Sequence, residues 1–462
     1  MRLSTATIDH LPADVARFDY DREGQHAGIV HLGIGAFHRA HQAVFTDAAM
    51  SAGDRDWAII GASLRSRTVA DAMVPQDGLY TVTEMGPEMG DYARSTRLIG
   101  AVRDVVVASD AGRLRHALAS PHVTIVTLTV TEKGYHRAAD GSLDIAAIAR
   151  AGNTIYHHLA RSFADRRDGG LGGLTLLSCD NLADNGGVLA TSLSAWLDHV
   201  DPTLGTWFMR ECTTPSTMVD RIVPAMTPAG LDEVETALGL RDEAAVVTEP
   251  FAQWVIQDRF AGRRPRWDMV GAQIVADVAP YETAKLRMLN GAHSALAYRG
   301  LLAGFDYVHQ AIGDAVIGPA VERLIRDEAA AGIDPATGQD LSAYADALLR
   351  RFANPALPHA LLQIASDGSQ KVPQRWLASL AANATRGRTC PETLTALAAW
   401  LIHVREPADD PRAAELAAAW TAGREGIVDA IVGEHGLLGG PWHPTPRDRA
   451  ILDQALATFD TQ

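Results

Sequence analysis

Glu282, Lys285, Asn290 and His293 stand in one stretch, Glu282-Thr-Ala-Lys285-Leu-Arg-Met-Leu-Asn290-Gly-Ala-His293, whose side chains can handle a proton and a developing alkoxide. Taken as an α-helix at about 100° per residue, the four fall within an arc of roughly 140°, with Leu286 and Leu289 inside it. Four polar groups thus share a face that would otherwise be buried, at a cost of about 1–3 kcal/mol each unless paired. A helix carries such groups where they meet a ligand, or where they form a satisfied network between domains; the spacing is compatible with both. The chemistry of the first reading is hydride removal from a secondary alcohol. That requires a base for the hydroxyl proton, and a lysine serves when desolvation and nearby positive charge lower its pKa. Amide N–H groups stabilise the alkoxide-like oxygen without carrying charge, and His293 can donate a hydrogen bond to it.

Such a helix needs a scaffold. Gly28-Ile-Val-His-Leu-Gly33-Ile-Gly35 reads as a buried strand turning tightly into a helix, and further strands are expected at Trp57–Ala62, Val123–Val130 and Leu174–Ser178. Helical patterns lie between them, at Arg113–Leu118 and Ile148–Phe163. This alternation predicts an α/β, Rossmann-type doubly wound domain over residues 1–275. Beyond it, Ala, Leu and charged residues recur at helical spacing in Lys285–Tyr298, Ala315–Ala330, Leu341–Arg351, Glu392–Val404 and Arg412–Ala422. A mostly α-helical domain is expected over 276–462. No repeat or low-complexity tract appears.

In a doubly wound sheet the first strand-to-helix turn holds a dinucleotide pyrophosphate, with glycines admitting the backbone and a helix N-terminus supplying N–H donors. Here the pattern is Gly33-x-Gly35-x-Phe37, with His38 where a third glycine would stand. An ordinary glycine turn has the same pattern, and the early position after an apolar run favours the dinucleotide. An acid after the second strand would select NAD; Ser63-Leu-Arg65-Ser-Arg67 offers none. Arg65 could meet the 2′-phosphate of NADP or be solvated. Asn181 lies just past the strand ending at Ser178, at the carboxyl end where open α/β sheets bind ligands, although an Asx turn there reads the same. His31, His38 and His41 suggest zinc, but no Cys or Glu completes a set, and packing explains them better. No metal is expected.

Composition narrows the class. The formal net charge of −15 lacks the basic footprint of a nucleic-acid partner. No run of eighteen apolar residues is present, so no membrane span is expected, and residues 1–20 lack a signal-peptide core. Three cysteines, Cys179, Cys212 and Cys390, are too scattered for a disulfide framework, which suits a cytoplasmic enzyme.

Six stretches together carry a resemblance: Gly33-Ile-Gly-Ala-Phe-His-Arg-Ala-His41, Thr129-Val-Thr-Glu-Lys-Gly-Tyr135, Ser178-Cys-Asp-Asn181, Thr217-Met-Val-Asp-Arg-Ile-Val-Pro224, Glu249-Pro-Phe-Ala-Gln-Trp254 and Lys285-Leu-Arg-Met-Leu-Asn-Gly-Ala-His293. Running in order, they resemble the long-chain mannitol dehydrogenase family. The resemblance implies an N-terminal Rossmann-type domain, a helical C-terminal domain, an active site in the cleft between them, and zinc-independent catalysis with NAD, NADP being the alternative. It further implies Lys285 as general acid/base, Asn181 and Asn290 as donors to the reacting oxygen, His293 in contact with that oxygen, Glu282 gating proton exchange, and Asp220 holding substrate hydroxyls. Asp367-Gly-Ser-Gln-Lys371-Val-Pro-Gln-Arg375-Trp376 resembles the uronate-reducing branch. Lys371 and Arg375 could therefore meet a terminal carboxylate, with polyol hydroxyls for Lys371 and solvent for Arg375 as the alternative. The expected partner is a small sugar acid or sugar alcohol, with D-fructuronate/D-mannonate ahead of D-fructose/D-mannitol. A nucleotide sensor without turnover would have lost the lysine or its amide partners. The expected state is a monomer or weak oligomer.

Overall fold

A strand buried on both faces sends alternate side chains to opposite sides. The computed structural model describes residues 1–88, 91–138, 140–406 and 408–460. Its strands are β1 (Ala27–Leu32), β2 (Ala58–Ser63), β3 (Tyr80–Glu88), β4 (Asp91–Ile99), β5 (Val102–Val107), β6 (Ile125–Leu128), β7 (Thr175–Ser178), β8 (Thr217–Asp220), β9 (Val246–Thr248), β10 (Gln253–Gln257) and β11 (Gln273–Val275). Strands β5, β2, β1, β6 and β7 lie side by side in that order, all parallel. Ile29, Ile59, Val105, Ile125 and Leu177 enter one core with Phe45 and Met50 of the helix Gln42–Ser51. Their neighbours Val30, Val106, Val126 and Leu176 enter a second core on the other face. There they meet Leu114 of the helix Ala111–Leu118, Leu159 and Phe163 of Ile155–Asp168, and Leu193 of Asn185–Val200. The expected Rossmann-type doubly wound sheet is thus present, and its switch point lies between β1 and β6.

Several details differ from expectation. The run Val123–Val130 forms only β6, because the chain turns at Thr129. The helical pattern at 148–163 is two helices, Ile145–Ala151 and Ile155–Asp168. Gly152, at φ +66°, ends the first, and Thr154 with His157 forms a capping box for the second. Unexpected were β5 and two smaller sheets, β11-β10-β8 and β4-β3-β9.

The chain divides into two units, Met1–Val278 and Ala279–Gln462. The expected boundary at 275/276 falls at the end of β11, three residues earlier. Among the described residues the second unit has no strand, only the isolated bridge Tyr307–Ala360. Its centre is a helix over 279–302 whose segment Gly291–Gly300 is buried throughout. Apolar side chains such as Ala292, Ala295 and Leu296 join Leu324, Leu348, Trp376, Leu394 and Leu397 in the core. Two of its polar side chains are paired here: Tyr298 Oη donates to Ala365 O at 3.1 Å, and Arg299 meets Glu392 at 3.5 Å. Among the described residues no helix is long and apolar enough to cross a membrane. Leu296→Ala, at a fully buried position, is expected to remove about 2–5 kcal/mol from unfolding of this unit. Urea titration checks this, and an unchanged midpoint would contradict the central place given to the helix.

Candidate active site

The glycine turn follows β1. Gly33 has φ +99°, and a Cβ there would collide with the Thr129 carbonyl oxygen at the end of β6, so only glycine fits. Gly35 caps the short helix Ala36–Ala40. A Cβ at Gly35 would meet only Gly33 O at 3.8 Å, which leaves room for a ligand group in front of the turn. The Phe37 ring stacks on His41, centroids 5.1 Å apart. Arg65 is exposed two residues past β2, with no acid between them. Of the three histidines, His31 and His41 have hydrogen-bond partners, and His38 makes a ring stack only, both its nitrogens being buried without a hydrogen-bond partner among the described residues. His31 contacts Thr127 Oγ1 at 2.7 Å and Thr129 Oγ1 at 2.9 Å, and its ring stacks on His38 at 3.4 Å. His41 Nε2 lies 2.9 Å from Gln253 O. Among the described residues no three His, Cys, Asp or Glu are placed to hold a metal.

A second group of residues gathers where β6 and β7 end and β8 begins. Asp180, buried at the tip of β7, accepts from Val130 N (3.1 Å), Thr131 N (2.7 Å) and Tyr135 Oη (2.9 Å). Thr131 stands at φ +63°, ψ 164°, a region nearly restricted to glycine. The carboxylate thus holds a strained turn in place. Burial pushes the Asp180 carboxyl above its usual range, against the pull of these donors. Tyr135 Oη also lies 2.5 Å from Ser178 Oγ. Asn185, fully buried, donates through Nδ2 to Asp180 O (3.1 Å) and Thr217 O (2.8 Å), while its Oδ1 accepts from Thr217 N (2.9 Å). This side chain fastens the end of β7 to β8. Asn181 is exposed directly after Asp180, and Asp220 is buried at the end of β8, the strand whose first residue, Thr217, is tied to the end of β7.

In the second unit, Glu282, Lys285, Asn290 and His293 lie on the helix over 279–302, but not on a regular one. Lys285–Asn290 is a π turn, and Gly291 N donates five residues back to Leu286 O. A π turn winds roughly 82° per residue against about 100° for an α turn. Lys285 and Asn290 then stand roughly 50° apart around the axis rather than about 140°. The four polar residues fall within roughly 70°, half the arc expected for a regular α-helix. The extra residue of the π turn upsets the carbonyl ladder, and outside donors supply bonds. Arg375 Nη1 donates to Asn290 O (3.3 Å) and to Ser294 Oγ (2.7 Å), and Trp376 Nε1 donates to Gly291 O (3.1 Å). Both donors come from a second π turn, Pro373–Leu377.

His293 packs against Phe352 (4.7 Å) and meets His359 edge-on (5.4 Å). Its Nε2 is buried with no hydrogen-bond partner among the described residues. Burial, then the charges of His359, Arg351 and Arg375, hold the imidazole well below its ordinary pKa, so it is neutral. Arg375 is half-buried, and the loss of solvent around it lowers its pKa to about 10. Lys371 is lowered by burial and by Arg375. Its Nζ donates to Ile364 O (3.2 Å), Ser366 O (2.5 Å) and Ser366 Oγ (3.3 Å).

The motifs at 129–135 and 178–181 contain Asp180, Tyr135 and Ser178, but nothing in their spacing announces that they touch. Phe352 and His359 carried no signal at all.

A parallel sheet with a glycine turn at its switch point, joined in one chain to a helix bearing lysine, amide and imidazole on one stripe, defines a dehydrogenase of the Rossmann class. Comparison with known proteins narrows this. Residues 27–269 match the mannitol dehydrogenase Rossmann domain and residues 277–431 the mannitol dehydrogenase C-terminal domain. D-mannonate oxidoreductase of Escherichia coli strain K12 is 37% identical over 97% of this chain and 92% of its own length. The structure of Pseudomonas fluorescens mannitol 2-dehydrogenase, a ternary complex with NAD and D-mannitol, is 32% identical with a TM-score of 0.83, covering 100% of this chain and 97% of that one. A substrate-free D-sorbitol dehydrogenase is 30% identical with a TM-score of 0.89, covering 99% and 97%. The chain belongs to the mannitol dehydrogenase family and is an oxidoreductase of that family.

Asp180→Asn leaves Val130 N or Thr131 N facing an amide instead of an acceptor. It is expected to lower stability by about 1–3 kcal/mol, and Tyr135→Phe by about 0.5–1.5 kcal/mol. Denaturant unfolding of the two variants checks the ranking; the reverse order would show that the phenol, not the carboxylate, holds the turn.

Proposed function

We propose that this chain interconverts D-fructuronate and D-mannonate, with a nicotinamide dinucleotide held at Gly33, Gly35 and Phe37. NAD is the favoured form, supported by its presence in the Pseudomonas fluorescens relative, and Arg65 is the residue that would accommodate NADP. The bound dinucleotide supplies or accepts the hydride. Lys285 takes the proton of the substrate hydroxyl during oxidation and returns it during reduction. Asn181 and Asn290 direct amide N–H groups at the reacting oxygen and stabilise it as charge develops. His293, neutral and with Nε2 uncommitted, adds a hydrogen bond to that oxygen. Glu282, three residues before Lys285 on the same stripe, passes the proton to and from solvent. Asp220 holds hydroxyls along the substrate chain.

The choice of a sugar acid rests on Arg375. It is a half-buried cation one hydrogen bond from the backbone of Asn290, with Lys371 close enough to feel its charge. Two cations beside a catalytic amide suit a carboxylate better than a neutral polyol. The near full-length likeness to a D-mannonate oxidoreductase supports the same choice. One observation favours the second reading, D-fructose and D-mannitol: the three Lys371 donors already have acceptors at Ile364 and Ser366.

Initial rates with D-fructuronate and D-fructose, each with NADH and NADPH, decide between them. A kcat/KM higher for fructuronate is expected, and a preference for fructose would replace the first reading by the second. Lys371→Ala is expected to raise KM for the acidic substrate more than for the neutral one. An equal rise would remove Lys371 from carboxylate recognition. Lys285→Ala should lower kcat by about 10²–10⁴-fold while NADH still binds; an unchanged kcat would end the lysine mechanism.

A further inference from the structure

His31 is wholly buried on β1, immediately under the glycine turn, and the reaction described above makes no use of it. Its hydrogen bonds have a determined direction. Thr129 Oγ1 lies 2.8 Å from Gly33 O, and a carbonyl can only accept, so the single Thr129 hydroxyl proton is committed there. The contact of Thr129 Oγ1 with His31 Nε2 (2.9 Å) must then be donated by the imidazole. Burial lowers the His31 pKa to about 3, so the ring is neutral and its Nδ1 is an acceptor. Nδ1 receives the hydroxyl proton of Thr127, 2.7 Å away and equally buried. The chain therefore runs one way, from Thr127 through His31 and Thr129 to the Gly33 carbonyl.

That carbonyl also accepts from Gly35 N at 2.6 Å. With two donors on it, the oxygen is tied inward. Turned outward, it would present a negative dipole to a phosphate seated on the turn.

We propose that His31 is a positioning residue for the dinucleotide: through Thr129 it keeps the Gly33 carbonyl oriented away from the phosphate. This rests on the reading that the dinucleotide is seated at Gly33 and Gly35. The ring of His38, stacked on His31 where the family fingerprint of other Rossmann domains has a glycine, closes the imidazole from the other side.

Binding of NADH and NADPH to the purified full chain, followed by fluorescence titration, tests the relay without turnover. Thr129→Val removes the hydroxyl and keeps the shape; it should weaken dinucleotide binding about tenfold, the effect of one misplaced polar group. Thr129→Ser should bind as the unaltered chain does. His31→Phe keeps the stacked ring and should weaken binding similarly, and adding it to Thr129→Val should weaken binding no further. Binding by Thr129→Val equal to that of the unaltered chain, or Thr129→Ser as weak as Thr129→Val, overturns the proposal. Losses that multiply in the double variant overturn it too. If His31→Phe does not fold, the valine and serine variants decide alone. An unaltered chain that binds neither dinucleotide overturns the dinucleotide reading and this inference with it.

Discussion

The contact on which the first unit turns is the approach of two strand ends, where the Gly33 backbone lies against the Thr129 carbonyl with no space for a side chain. The switch point of a doubly wound sheet brings β1 and β6 side by side, and the chain leaves both at the same edge. At that edge the turn after β1 must fold back steeply enough to start a helix, which the positive φ of Gly33 allows. The turn after β6 must clear it, and Thr131 does so in a conformation that L-residues resist. The Asp180 carboxylate, taking both Val130 and Thr131 amides, offsets that strain from the neighbouring strand. Stiff strands and a few charge-assisted hydrogen bonds thus place exposed residues such as Asn181 on an otherwise mobile kind of segment.

The second unit solves a different problem, that of a helix buried along most of its length which must nonetheless carry polar groups. Its answer is to gather them. The π turn draws Lys285 and Asn290 toward one line, and apolar side chains such as Met288, Leu289, Ala292, Ala295 and Leu296 close the core. The irregularity is supported by a second π turn, whose Arg375 and Trp376 bond to Asn290 and Gly291. A half-buried guanidinium is a strong donor for this purpose and brings charge with it. Support of the helix and recognition of an anion can thus reside in the same side chain.

Fold class was legible in the sequence because burial of β1, β2, β6 and β7 on both faces leaves nearly continuous apolar runs, and the helical half repeats Ala and Leu at helical spacing. The small sheets were not, since β9 and β11 are three residues each and their pairing is set by distant partners. The polar stripe of the second unit was visible from residue types alone. Its true width was not, because a π turn leaves no compositional mark and the α period was the only one available to apply. Asp180 and Tyr135, 45 positions apart, meet only through the sheet. His31 read as part of a histidine cluster, and its hydroxyl partners on β6 and just beyond it gave no hint of themselves.

The π turn also makes this helix a device with a phase. Substituting a side chain within 285–290 changes what is displayed, but adding or removing one residue there would rotate everything downstream by about a quarter of a turn. Ser294, Tyr298 and Arg299 each meet a fixed partner outside the helix, so the downstream half cannot rotate to absorb the change. The stretch is therefore locked in length. Such a single-residue insertion, once accommodated, gives a lineage a new alignment of polar groups without redesigning the core beneath it.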